Sequence, residues 1–168
     1  MFDPTVFENL KVLAEGAFYD LDLDGKLAVI DRHDLIDLAN MSRVYELIVR
    51  HDADKEKDVE CTFSLSAGLS AFAEEKLPAF SKRSPGCALK ITFRFIDPEH
   101  PLRIIHILKQ TWDKGYHYQV LKHTPIGYNR EGTYVTIEIK REKPIYEDDV
   151  AVLHTYVRQV QHILSTGI

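Results

Sequence analysis

Two cysteines are all the chain has in 168 residues, and Cys61 and Cys87 stand too far apart for a CxxC pair. A single pair is too few for a disulfide framework, and the 45% hydrophobic content is enough to build a core without one. That points to a reducing compartment. No apolar run approaches the roughly 20 residues that cross a bilayer, and the first residues show no basic start followed by an apolar stretch. The reading is a cytoplasmic protein with no membrane partner. No stretch rich in Gly or Ser divides the sequence, so residues 1–168 are read as a single domain.

Positive charge is also scarce. The formal net charge is −5, which argues against a dedicated nucleic-acid binder because phosphates must be neutralised by a basic footprint. The distribution is uneven. Counting Lys and Arg minus Asp and Glu, residues 1–87 give 10 − 17 = −7, residues 88–143 give 10 − 6 = +4, and residues 144–168 give 1 − 3 = −2.

What is present is a clear alternation of helical and strand periods. Asp3 as N-cap, Pro4 in the first turn, Val6, Leu10 and Leu13 on one stripe and Gly16 at the end predict a short opening helix. A brief helix is read over Asp34 to Asn40. Strands follow over Ser42 to His51 and Val59 to Ser66, and a helix over Leu69 to Lys76. In the second half Leu89, Ile91, Phe93 and Phe95 alternate with polar residues in a strand. Ile104, Ile105, Leu108 and Trp112 then recur at helical spacing up to Gly115. Tyr116 to His123 and Gly132 to Arg141 read as paired strands before a closing helix.

The fold class is therefore α+β, a mixed or antiparallel sheet with helices packed on one face. Residues 26–80 and 88–165 each read as strand, helix, strand, strand, helix, which suggests an internal duplication with a groove between the repeats. Such a groove would be the place for an enzyme's titratable residue, although no constellation has the spacing of acid–base, metal or covalent chemistry. The expectation is a non-catalytic module that binds a small molecule or a protein partner and needs no cofactor.

Residues 20–25, Asp-Leu-Asp-Leu-Asp-Gly, support two incompatible readings. Asp-Gly favours a type I′ hairpin turn, since both central positions need φ > 0. The same run resembles the calcium loop of the EF-hand and dockerin families. Asp20, Asp22 and Asp24 fall at the first, third and fifth positions, Gly25 at the sixth, Leu27 at the eighth and Asp31 at the twelfth. The resemblance implies a hard cation held by carboxylate oxygens. Leu23 and the short Asp31 depart from the EF-hand pattern, and the hairpin is the preferred reading.

The histidines are spread too widely for a close ligand pair: His117 and His123 lie about 20 Å apart along one strand. Cys61 reads as a buried hydrophobe. Cys87, near Lys82 and Arg83, is the one thiol for which activation is conceivable. Ser66 and Gly68 sit in a small-residue turn that leads into a helix, a possible anion contact. Lys90, Arg94, Tyr116, Tyr118, Lys122, Tyr134 and Lys140 would share one sheet face if the strands pair in register, a basic and aromatic surface able to contact a ligand or RNA. In the last helix Val150, Leu153, Val157, Val160 and Leu164 form a stripe with Val152, Tyr156 and Ile163 beside it, wider than one neighbour needs. A homodimer through this helix follows as an expectation.

Overall fold

The computed structural model of the chain describes residues 5–51, 59–77, 85–96, 101–112, 114–126 and 132–166. The expected cap at Asp3 and Pro4, the charged loop 52–58, and Lys82 and Arg83 lie outside the described residues.

The chain begins with α1, Thr5–Leu23, in which Val6, Phe7, Leu10, Ala14 and Phe18 are buried at helical spacing. Its first free amides are met from a distant element. The Glu75 carboxylate accepts from Thr5 N–H at 2.9 Å and Val6 N–H at 3.1 Å. Burial pushes the Glu75 carboxyl up, but these backbone amides outweigh it and hold the group below its ordinary value. Gly16 does not end the helix as its sequence position suggests; α1 runs seven residues further. The true stop is at Gly25, with φ of 67°. Lys26 N–H donates to Leu21 O and Gly25 N–H to Asp22 O, both at 2.9 Å, the paired bonds of a Schellman motif. The Asp24-Gly25 hairpin is thus corrected: the same φ > 0 preference terminates a helix here.

Seven strands follow among the described residues: β1 Ala28–Asp37, β2 Ser42–Arg50, β3 Val59–Ala67, β4 Gly86–Ile96, β5 Tyr116–His123, β6 Tyr134–Arg141 and β7 Ile145–Tyr146. The helices α2 Leu69–Lys76, α3 Pro101–Thr111 and α4 Val150–Ser165 complete the chain. The sheet is antiparallel, in the order β1-β2-β3-β4-β6-β5, and β7 pairs with the start of β4. Residues 34–37 belong to β1, so the brief helix read over Asp34 to Asn40 is replaced by a strand and a turn. The Asp37 carboxylate closes that turn by accepting from the backbone amides of Ala39 and Asn40. With no helix between β1 and β2, the two halves do not share the order of elements that suggested a duplication.

Register decides which residues are covered. Leu47, Phe63, Ile91 and Ile139 stand opposite one another across β2, β3, β4 and β6, as do Val49, Cys61, Phe93 and Ile137. All are buried. They meet Phe18, Trp112 and the apolar side of α4. Phe18 packs edge-on against Phe63 at 5.2 Å, and Trp112 lies 6.0 Å from Phe93. The helices therefore cover one face of the sheet, as an α+β fold requires. The width of the α4 stripe has its explanation in the same layer. Tyr156 and Ile163, which the homodimer reading assigned to a second subunit, are buried within this chain, and Val152 packs on the core. The surface on which that reading rested is already used.

No helix among the described residues is long and apolar enough to cross a membrane.

Candidate functional site

The other sheet face has no helix on it among the described residues. Because side chains alternate along a strand, the residues between the buried ones line this face in rows that run across the sheet. One row crosses all six strands: His33, Glu46, Ser64, Lys90, Lys140 and His117 stand in successive register. The next holds Asp31, Ile48, Thr62, Thr92, Glu138 and Gln119; a third holds Ala28, Arg50, Glu60, Arg94, Thr136 and Leu121. A shallow depression of about 320 Å³ lies in the middle, bordered by Val44, Glu46, Ser64, Ser66, Lys90 and Lys140. Ser64 is only 4% exposed, shielded although it lies on the uncovered side.

Charge on this face is polarised. On β1, β2 and β3 it carries Asp31, Asp37, Glu46 and Glu60 against Arg50; on β4, β6 and β5 it carries Lys90, Arg94 and Lys140 against Glu138. The acidic and basic halves meet between β3 and β4, the middle of the six-strand order. Some charges are paired within the chain: Glu138 with Lys140 at 2.9 Å and Lys90 at 3.5 Å, Arg94 with Glu60 at 3.4 Å. Burial raises the Glu138 carboxyl, but the Lys140 hydrogen bond and the two lysine charges win, so it stays ionised below its ordinary value.

The residues singled out in the sequence divide between the two faces. Lys90, Arg94, Tyr134 and Lys140 share the uncovered face. Tyr116, Tyr118 and Lys122 do not: Tyr118 pairs with buried Ile139 and Lys122 with buried Val135, so all three take the helix-facing parity of β5. Tyr134 is itself engaged, stacked on His123 with centroids 4.3 Å apart and with the Arg94 guanidinium 4.6 Å from its ring. The continuous basic and aromatic platform expected for RNA is therefore not assembled. Ser66 borders the depression; Gly68 lies at the N-terminus of α2, where no side chain caps the helix.

The acidic run is also dispersed. Asp20 and Asp22 lie within α1, Asp24 in its C-terminal cap and Asp31 on β1. The Asp22 carboxylate accepts from Val29 N–H at 3.2 Å and so ties the start of β1 to the helix. Among the described residues no three His, Cys, Asp or Glu side chains are placed to hold a metal ion. Cys87 is not a loop thiol: it lies on β4, 1% exposed, and burial, with the Glu75 charge, pushes its pKa up to about 12. His33, Glu46, Ser64 and His117 were not brought together by sequence reasoning because the row they form emerges only when the register across six strands is known.

Compared with family models, with curated proteins and with solved structures, the chain finds no match.

Proposed function

We propose that this chain is a non-catalytic interaction module whose uncovered sheet face docks a protein, and that the partner it fits is a second copy of itself. The observation that carries the reading is the charge polarity about the middle of the sheet. A two-fold axis parallel to the strands and lying over the β3–β4 boundary sets two such faces against each other. It places β1, β2 and β3 of one copy over β5, β6 and β4 of the other, so that acidic halves meet basic halves twice. Two sheets pack in this way about 10 Å apart with their strands roughly aligned. The area is sufficient. Six strands about 4.8 Å apart and about 25 Å long offer roughly 650 Å² per copy, about 1,300 Å² in total, within the range of specific interfaces. The face is mostly polar, so the association depends on charge and weakens with salt.

Sedimentation velocity tests this directly. The chain is expected to dimerise at low ionic strength, on the order of 0.01 M, and to dissociate near 1 M. Asp31→Lys/Glu46→Lys and Lys90→Glu/Lys140→Glu variants each give both halves of the face the same net sign and are expected to be monomers. Mixed, they are expected to pair. A monomer at every salt concentration, or mixed variants that stay apart, sinks the proposal.

A further inference from the structure

A second concavity opens on the helix-covered side, where the start of β5, the end of β6 and the beginning of α4 meet. Its volume is about 380 Å³, and Lys114, Tyr116, Arg141, Lys143, Val152 and Tyr156 line it. That size lies within the roughly 300–1,000 Å³ of small-molecule sites. The chain as a whole is acidic, yet this lining has three cations and one carboxylate, Glu142, which faces His117 at 3.6 Å.

The donors here outnumber the acceptors. Tyr116 and Tyr156 share one hydrogen bond between their hydroxyls, which uses one of the two phenolic protons. No acceptor for the other is found among the described residues. Tyr156 is 3% exposed, and burial, reinforced by Tyr116, raises its pKa, so the phenol remains a donor at neutral pH. Arg141 lies beside Tyr156 and is fixed in place because its Nη1 donates to the carbonyl oxygens of Lys143, at 3.0 Å, and Pro144. Two lysine ammonium groups, a guanidinium and an unused phenolic proton are all donors. A half-buried donor set is completed by a group that only accepts.

The geometry points to a binding site for a small oxyanion, a phosphoryl or carboxylate group, seated among Lys114, Arg141, Lys143 and the Tyr116–Tyr156 pair. The anchored guanidinium and the phenol are held by the fold and set direction. Lys114 and Lys143 are exposed and bring charge to the mouth. Val152 leaves one wall apolar, against which the rest of an organic anion rests.

The test is a titration of the ¹⁵N-labelled chain with inorganic phosphate and, separately, with acetate, at low chloride. Saturable shifts are expected at Gly115, Tyr116, Glu142 and Val152, and these residues report the site whatever the oligomeric state. Lys114→Gln/Lys143→Gln removes only exposed charge and is expected to weaken binding at least about tenfold. Tyr116→Phe/Tyr156→Phe removes the free phenolic proton and is expected to weaken it by a similar factor, with its amide spectrum confirming the fold. Phosphate binding much tighter than acetate assigns a phosphoryl ligand; comparable binding assigns a carboxylate-sized oxyanion. Shifts that stay linear with both anions, or binding undiminished in the lysine variant, overturn the site. Arg141 borders both this notch and the depression on the sheet face, but the notch needs no second copy, so a monomer that binds phosphate refutes the pairing and retains this site.

Discussion

Arg43 grips Asp34 with two parallel hydrogen bonds, Nε to Oδ1 at 2.9 Å and Nη2 to Oδ2 at 2.8 Å. Lys11 of α1 adds a third at 2.9 Å, Glu8 faces both cations, and the guanidinium also lies 5.0 Å from the Phe7 ring. The cluster fastens the edge hairpin β1–β2 to α1. Arg43 is the main cause that holds the Asp34 carboxyl down at about 2, against an ordinary 3.8. A depressed folded pKa means stability that is present above the ordinary value and lost as pH falls towards the folded one. Part of the group is solvated, so screening reduces its contribution to about 1 kcal/mol. Asp34→Asn is expected to cost that amount at pH 6 and much less at pH 2. Urea unfolding at the two pH values checks it; an equal loss at both contradicts the linkage.

The strands β2, β3, β4 and β6 and the helices α3 and α4 were legible because their apolar residues alternate or recur with one period and one face of each is buried, whereas α2 and β5 were read with the same bounds although neither has a buried residue. β1 was not legible. Leu35, Ile36 and Leu38 stay exposed on an edge strand and its turn, so no burial imposes alternation, and their local spacing imitates a helix. Asp24-Gly25 misled for a different reason: a residue with φ > 0 serves a hairpin turn and a helix C-terminus equally, and only the five buried residues of α1 decide between them. The split of the basic and aromatic set follows from register, which flips every side chain with a shift of one residue. The two-residue β7 is too short to leave any period in the sequence.

Gly86 marks a close approach between backbones. A Cβ added there falls 2.9 Å from Ile145 O, Pro144 Cβ and Tyr146 Cδ1, and two of these belong to the β7 strand with which Gly86 pairs. A carbonyl oxygen within the pairing cannot move aside without breaking it. Gly86→Ala is expected to lower stability by about 1–3 kcal/mol. Hydrogen exchange is expected to show faster exchange at Cys87 and Tyr146, while the amides in the centre of β3 stay protected. A variant as stable as the wild type refutes the contact.

Cys61 and Cys87 are both buried, and burial raises both thiols, Cys61 well above its ordinary value and Cys87 to about 12. Since the thiolate is the reactive form, both should resist a disulfide reagent at neutral pH in the folded chain. Full labelling of the two is expected only on adding denaturant, with a rate that follows unfolding. Rapid native labelling of Cys87 alone would revive the activated-thiol reading that its neighbours in sequence suggest.

Gly16 lies inside α1, exposed, and a Cβ built on it meets nothing within 4 Å. In an exposed helix interior glycine costs roughly 0.5–1 kcal/mol relative to alanine, because the unfolded chain has more conformations to lose. Its φ is not in the left-handed region, which among the described glycines is adopted by Gly25 and Gly115. Gly16→Ala is therefore expected to stabilise the fold by that amount, whereas Gly25→Ala, at φ of 67° in the helix stop, is expected to destabilise it by about 1 kcal/mol. The opposite signs of two identical substitutions nine positions apart separate a helix that continues through residue 16 from one that ends there. Thermal unfolding of the two variants against the wild type measures both. If Gly16→Ala destabilised the protein and Gly25→Ala did not, α1 would have to end at Gly16 and the Asp24-Gly25 hairpin would return.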